Sequence, residues 1–427
     1  MLQGTLNRLI KVGSLQVIMP SGKRMTFGEA ADPVVVRLHD RLTPLKLAVW
    51  PDLYLGEAYM DGRLTVENGS LWDLLDLLGR NLSRQGWHHR HWPARALYRV
   101  LRFIHQYNSL RASKKNVARH YDLPFEMYEK FLDGDLQYSC AYFADPNDSL
   151  ETAQGAKKRH IAAKLLLKPG QKVLDIGSGW GGMALTLARR EQVDVTGITL
   201  SQAQLDIARA RARTAGLEGR VRFERQDYRE ISGKFDRIVS VGMLEHVGAP
   251  NFGTFFQRVS ELLADDGVAL IHAIGRASGP DVTSAFIRKY IFPGGYIPAL
   301  SQILPHVEHS DLWVTDIEIL RLHYADTLRA WRTRFLAHAD GLVDTRFRRM
   351  WEYYLAICEM SFRYGDLMVF QLQVAKRIDA VPRLRDYMLD TERQPVRLAS
   401  VGSEGGEPDK LRPSGETPSR RPEGAGR

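Results

Sequence analysis

The sequence predicts an α/β fold built on a mostly parallel sheet, and three features predict it. From Gln171 onward, apolar runs of strand length alternate with helical stretches, the pattern of a parallel sheet covered on both faces. One of these runs ends in a cluster of glycines that opens a helix. Ahead of them, the first 95 or so residues carry short strand-like runs and turn signals without that alternation, so a smaller α+β domain is expected first. The chain has 427 residues, enough for two domains, and an ordinary apolar fraction of 44%, so a sizeable core can form.

Taken in order, 15–19 and Val34–Leu38 read as strands and 71–82 as a helix, giving an accessory domain over residues 1–95. Residues 96–150 read as a helical connector. The alternating part occupies 151–395. It runs strand Lys172–Ile176, helix 181–190, strand 194–198, helix 201–214, then strands Val221–Arg225, Phe235–Val241 and 268–273. Long helices are expected around 327–338 and 347–375. From 396 to 427 the chain is Gly, Pro, Ser and charge with hardly an apolar residue. Such a tail cannot offset its ordering entropy and is expected to be disordered. No internal repeat is present.

The two cysteines, Cys140 and Cys358, are far apart, which argues against a disulfide framework and fits a reducing cytoplasm. The start, Met1-Leu2-Gln3-Gly4, lacks a charged segment followed by an apolar run, so no signal peptide is expected. No stretch approaches the roughly 18 unbroken apolar residues of a membrane span. The net charge is +9, and its excess lies between Arg80 and Arg119, which holds many Arg and Lys but no Asp or Glu. There Leu97, Leu101 and Ile104 recur at helical spacing among Arg95, Arg99 and Arg102, with Trp87 and Trp92 nearby. A basic amphipathic helix with Trp suits the headgroup layer of an anionic membrane. Nucleic acid is a rival partner, and a solvated helix packing on its own protein is the plainer alternative. The histidines His88, His89, His91 and His105 lack i, i+4 pairing or carboxylate support, so metal binding is not expected.

The sharpest signal is Val173-Leu174-Asp175-Ile176-Gly177-Ser178-Gly179-Trp180-Gly181-Gly182. Glycines at a helix N-terminus let the backbone turn tightly and approach a ligand. The spacing of Gly177, Gly179 and Gly182 also matches the dinucleotide fingerprint, a weak signal alone. Two details point elsewhere. The next strand ends Val195-Thr196-Gly197-Ile198-Thr199, without the carboxylate that would hold a ribose diol of a dinucleotide. An acid, Asp175, precedes the loop, as in class I S-adenosylmethionine-dependent methyltransferases (Rossmann-like), where it orients the loop and the amino-acid end of the cofactor. Asp227, after the third strand, is placed to meet the adenine.

Beyond that loop the chain resembles one family: the cyclopropane-fatty-acyl-phospholipid synthases and the related mycolic acid cyclopropane synthases. The resemblance runs from near the N-terminus to about Lys376. It rests on Gly56-Glu57-Ala58-Tyr59-Met60-Asp61-Gly62, His120-Tyr121-Asp122 and Tyr138-Ser139-Cys140-Ala141-Tyr142-Phe143. After the glycine loop come Gly197-Ile198-Thr199-Leu200-Ser201 with Gln204, then Glu245-His246-Val247-Gly248, Tyr290-Ile291-Phe292-Pro293-Gly294-Gly295 and His323-Tyr324-Ala325-Asp326-Thr327-Leu328. Blocks in this order are far more specific than any one loop.

The resemblance implies that S-adenosylmethionine is held by Tyr138, Ser139, Asp175, Gly177, Gly179, Thr199, Gln204, Asp227 and Tyr228, with Gln204 serving the ribose. It also implies a bicarbonate ion at Cys140, Glu245, His272, Tyr324 and the backbone of Ile274. The implied reaction is methyl transfer to the double bond of an unsaturated phospholipid acyl chain. The resulting carbocation loses a proton from the new methyl and closes to a cyclopropane ring. The base for that proton must sit beside a cation in an apolar tunnel without trapping it. Cys140 is then a ligand or wall residue. Read without the resemblance, Cys140 fits core packing and Glu245 fits a first-turn carboxylate. His272 lies at a strand end where open α/β sheets place ligands.

The same carbocation can lose another proton or be reduced, so a fatty acyl C-methyltransferase is the alternative. The segment from Met360 to Gln371 departs from the best-known bacterial members of the family and is expected to line or cover the acyl tunnel. The first domain is expected to assist lipid presentation or dimer contacts, so a homodimer is a further expectation. A nucleic-acid methyltransferase would carry a base-targeting motif, but the chain reads Val241-Gly242-Met243-Leu244-Glu245 after the fourth strand. No nucleic-acid partner is expected. A non-enzymatic lipid carrier would not need the cofactor loop and the anion ligands together. The expected location is cytoplasmic, peripheral at the inner face of the cell membrane.

Overall fold

The computed structural model of the chain describes residues 2–84, 125–339, 341 and 343–393. The basic stretch around 95–104, His88, His89, His91 and His105, the His120-Tyr121-Asp122 block and the tail 396–427 lie outside the described residues. The described residues fall within one compact unit.

The first part is a four-stranded sheet in the order β2-β1-β3-β4. α1 (Leu2–Leu9) leads into β1 (Ser14–Ile18) and β2 (Arg24–Gly28), which pair antiparallel. β3 (Val34–Leu38) runs parallel to β1, and β4 (Leu64–Asn68) antiparallel to β3. α2 (Thr43–Val49) and α3 (Pro51–Met60) join β3 to β4, and α4 (Leu71–Arg84) follows. β1 and β3 bury Leu15, Val17, Val36 and Leu38, a period of two that is legible in sequence. β2 and β4 were not legible, because each fully buries only one residue, Phe27 and Leu64 respectively.

The Gly56–Gly62 block proves to be the seam between this sheet's helices and the rest of the unit. Glu57 Oε1 accepts from Lys289 Nζ at 2.7 Å and from Tyr290 Oη at 2.9 Å, and Tyr59 Oη donates to Glu352 at 2.7 Å. A Cβ on Gly56 would stand 2.4 Å from Phe286 Cδ2 and 2.6 Å from the Tyr353 ring, so only glycine lets α3 come this close. A Gly56→Leu chain is expected to lose about 1–3 kcal/mol of stability through overpacking. Thermal or denaturant unfolding checks this.

α5 (Phe125–Phe131) and α6 (Leu150–Leu165) lead into a seven-stranded sheet in the order β10-β11-β9-β8-β5-β6-β7. Its strands are β5 (Lys172–Ile176), β6 (Asp194–Thr199), β7 (Val221–Arg225), β8 (Phe235–Val241), β9 (Leu263–Arg276), β10 (Trp313–Ile319) and β11 (Leu367–Ala375). The helices between and after them are α7 (Gly182–Glu191), α8 (Gln202–Thr214), α9 (Phe252–Leu262), α10 (Leu300–Glu308), α11 (His323–His338), α12 (Thr345–Tyr364) and α13 (Asp386–Arg393). β9, β8, β5, β6 and β7 are parallel, and β11 runs antiparallel between β9 and β10. The strand order reverses beside β5, so the carboxyl ends of β5 and β8 open the crevice where such sheets bind ligands.

The single helix expected over 347–375 is two elements, α12 and β11. Gly365 closes the helix, its N–H donating to Ser361 O at 3.1 Å. From Met368 to Ala375 every residue of β11 is buried, including Gln371 and Gln373. A strand buried on both faces lacks the apolar and polar alternation that marks a strand, and so reads like part of a buried helix. Likewise Glu245 lies in a single 3-10 turn, Leu244–His246, and not at the start of a longer helix.

Candidate functional site

The loop between β5 and α7 turns on Gly177, whose φ is +85°. The N–H groups of Gly177 and Ser178 both donate to Ile198 O, at 3.0 and 2.9 Å, which ties the loop to the end of β6. A cavity of about 150 Å³ lies against this loop. Tyr138, Ser139, Asp175, Gly177, Gly179, Thr199, Gln204, Asp227 and Tyr228 all line it. They come from the carboxyl ends of β5, β6 and β7 and the loops after them, from the first turn of α8 (Gln204) and from the segment before α6.

Each polar group there is aimed by a neighbour. Ser201 caps α8, accepting from Gln204 N at 3.3 Å, and Thr199 Oγ1 donates to Gln204 Oε1 at 2.8 Å. That leaves the Gln204 amide nitrogen as the donor on offer. Asp227 is clamped by Arg229, with two bonds of 2.8 Å, so both of its carboxylate oxygens are already engaged. Asp175 is buried, which pushes its carboxyl up to about 7, Lys157 pulling the other way. Its Oδ2 is buried without a hydrogen-bond partner among the described residues.

A second cavity of about 740 Å³ shares Tyr138, Ser139, Gly242 and His246 with the first. Cys140, Glu245, His272, Ile274 and Tyr324 all line it. So do Met360, Phe362 and Leu367 of the segment expected over the tunnel, together with leucines of the first sheet's helices such as Leu6, Leu74 and Leu78. The volume is in the range of small-molecule sites and the lining is mainly apolar. Glu245 Oε1 accepts from Ile274 N at 2.6 Å, while its Oε2 is buried with no partner among the described residues. Burial pushes Glu245 up to about 7, the Ile274 N–H acting against it. Burial also holds the His272 imidazole far below its usual range and raises the Cys140 thiol, so neither is charged near neutrality. Tyr324 packs edge-on to Trp331, ring centres 5.8 Å apart, and at 4.7 Å from Phe362.

The segment through Tyr138 and Ser139, which line both cavities, to Cys140, which lines the large one, is pinned from α6 and α11. Lys157 Nζ, fully buried, donates to Gln137 Oε1 at 2.7 Å and Ser139 Oγ at 2.8 Å. Gln154 Nε2 donates to Ser139 O at 3.0 Å, and Ala141 N donates to Thr327 Oγ1 at 3.0 Å. Burial lowers Lys157 to about 7. Lys157, Arg229 and His246, the last of which lines both cavities, stand beside the residues expected from sequence without being among them. A signal existed for the first: Lys157, His160 and Lys164 recur at helical spacing on the same stripe as Ala153 and Ile161. Cations on an otherwise apolar stripe have to be partnered inside the protein.

The raised Glu245 has a consequence for stability. Its folded-state carboxyl prefers the neutral form, so its contribution is fully present below about pH 4.5 and is lost as pH rises through about 7. The stability difference between the native chain and Glu245→Gln is therefore expected to move against the native chain by about 2 kcal/mol between pH 5 and 8. Denaturant titrations of both chains check it; the comparison cancels Asp175 and Lys157, which titrate in the same window.

The family described as mycolic acid cyclopropane synthetase matches residues 108–372. Cyclopropane-fatty-acyl-phospholipid synthase of Escherichia coli K12 is 38% identical over 333 residues, covering 77% of this chain and 84% of the relative. This chain belongs to that family. A probable fatty acid methyltransferase of Pseudomonas putida is 39% identical over 277 residues, covering 62% of this chain and 70% of the relative. The crystal structure of mycolic acid cyclopropane synthase CmaA1 complexed with SAH and CTAB matches at TM-score 0.58 and 31% identity, over 61% of this chain and 97% of that one.

This chain is an S-adenosylmethionine-dependent enzyme of the methyltransferase class. Among the described residues, no group of three or more His, Cys, Asp or Glu could hold a metal ion, and no helix is long and apolar enough to cross a membrane.

Proposed function

We propose that this enzyme converts the cis double bond of an unsaturated acyl chain in membrane phospholipid into a cyclopropane ring. The observation that carries the proposal is the adjacency of the two cavities: a small one on the glycine loop and a large, mainly apolar one, which share Tyr138, Ser139, Gly242 and His246 in their linings. A methyl donor in the first and an acyl chain in the second would meet at that shared wall. Tyr138, Ser139, Asp175, Gly177, Gly179, Thr199, Gln204, Asp227 and Tyr228 are proposed to bind S-adenosylmethionine. Asp175, with a buried unpartnered oxygen, suits its ammonium group, and the Gln204 amide suits a ribose hydroxyl.

Methyl transfer to an alkene leaves a carbocation on the acyl chain. The apolar lining of the cavity disfavours water that would trap it, and the aromatic residues Tyr324, Phe362 and Phe292 of that lining suit positive charge. The residues also fit bicarbonate. Glu245 Oε2 is a buried polar atom in want of a partner, the Ile274 N–H orients the carboxyl, and neutral His272 and Tyr324 can each donate to an anion. When bound there, bicarbonate supplies a base for the proton of the new methyl group. Glu245, His272, Tyr324, Cys140 and the backbone of Ile274 hold and orient it, and Glu245, poised near neutrality, tunes its affinity for that proton. The alternative, a methylated chain, shares every step up to the carbocation, and the Pseudomonas putida relative keeps it in view.

The enzyme is proposed to meet an anionic phospholipid surface from the side, at the inner face of the cell membrane. The acid-free basic run from Arg80 to Arg119 and the apolar lining of the large cavity support this. The test is incubation with vesicles of unsaturated phospholipid and methyl-labelled S-adenosylmethionine, followed by mass and NMR analysis of the acyl chains. A gain of one CH₂ with loss of the alkene signal supports ring formation; a retained alkene selects methylation; no label in lipid rejects both.

A further inference from the structure

Three adjacent strands place Glu318, Gln371 and His272 in one row. Gln371 of β11 is the register partner of Glu318 on β10 and of His272 on β9. Cross-strand partners stand on the same sheet face and touch. α6 lays Lys164 over that row. Lys164 Nζ donates to Gln371 Oε1 at 2.8 Å and forms an ion pair with Glu318, which His160 Nε2 also contacts at 2.6 Å. At its other end Gln371 Nε2 lies 3.2 Å from His272 Nδ1. Lys164 and Gln371 are fully buried and His272 is 2% exposed, so water does not compete for these bonds.

The chemistry of the donors leaves one arrangement. An ammonium has three N–H groups and no lone pair, so Lys164 can bond only the oxygen of the Gln371 amide. The amide must then turn its NH₂ to His272, and an NH₂ only donates. His272 Nδ1 is therefore the acceptor, without a proton. A neutral imidazole carries one proton, so it resides on Nε2. Reversing the amide would set Lys164 against NH₂ and strand a buried cation's bond.

We propose that Lys164 and Gln371 are positioning residues that set the tautomer of His272, so that the ring offers Nε2–H to an anion in the large cavity. The identity of that anion rests on the bicarbonate reading above; the tautomer does not. The arrangement explains two buried features that packing alone leaves without purpose, a glutamine in the middle of a strand and a lysine on the inward face of a helix. It also accounts for how an uncharged histidine can serve an anion.

The test uses the full chain labelled with ¹⁵N-histidine, with the His272 signals assigned by their loss in a His272→Gln chain. The expected spectrum has a pyridine-type Nδ1 and a pyrrole-type Nε2. A Gln371→Glu chain keeps an acceptor for Lys164 but gives His272 only lone pairs. Nδ1 should then become pyrrole-type, and at pH 8 the apparent KM for bicarbonate should rise about tenfold or more while the KM for S-adenosylmethionine holds. A pyrrole-type Nδ1 in the native chain overturns the proposal whether or not the variant folds, and so does an unchanged bicarbonate KM in Gln371→Glu. If the native chain has the expected tautomer but makes product independently of bicarbonate, the tautomer relay stands and the bicarbonate reading alone falls.

Discussion

A Glu245→Gln chain is expected to turn over about 100-fold more slowly than the native enzyme at saturating substrates. The amide can still accept the Ile274 N–H through Oε1, the bond that aims this side chain at 2.6 Å. It remains uncharged and nearly isosteric, so the fold and the binding of S-adenosylmethionine should hold. What disappears is a carboxyl whose proton is exchangeable near neutrality, since burial brings Glu245 up to about 7. Its second oxygen, buried and unpartnered, is also lost as a site that can either give or take a proton. Rates on unsaturated vesicles, with cofactor affinity measured separately, check the prediction. Full activity in this chain would remove Glu245 from the reaction.

The second large effect is expected at Gly177. A Gly177→Val chain should bind S-adenosylmethionine at least about tenfold more weakly. At φ +85° a β-branched residue is strained. Its Cβ would also stand 3.1 Å from Cβ and Cγ of Met243, which lines the same cavity. Relief requires the loop to swing, and that breaks its paired bonds to Ile198 O. Gly170→Ala is the control: φ there is +79°, but nothing stands within 4 Å of the added Cβ. It should cost some stability and leave cofactor affinity unchanged. Calorimetric titration of both chains separates a local effect on the ligand from a general effect of strain.

The parts of the fold that were legible in sequence are those whose signal is local. β5 and β6 are apolar runs bounded by turn residues, and the glycine loop announces its own conformation. The residues expected around the cofactor and around the anion follow from the glycine loop and from the family resemblance, and the fold gathers each set along one cavity. What stayed hidden depends on partners distant in sequence. β11 was read as helix because its two faces are both covered, by elements its own residues do not reveal. With β11 misread, the row of Glu318, Gln371 and His272 could not be seen, since it exists only as strand register. The stripe that carries Lys157 and Lys164 marks them as inward-facing cations, but only packing shows that their partners are Ser139 and Gln371. The Gly56–Gly62 block was recognised as a motif but not as a seam, because its partners Phe286, Lys289, Tyr290 and Tyr353 lie more than 200 residues away.

The central claim is that a small anion among Glu245, His272 and Tyr324 takes part in closing the ring. Its most direct measurement is product formation on unsaturated phospholipid vesicles in buffer stripped of carbon dioxide, with and without added bicarbonate, read by NMR of the acyl chains. The account predicts cyclopropane signals that fade on stripping and return in proportion to the bicarbonate restored. Ring formation at an undiminished rate in the stripped buffer would contradict it.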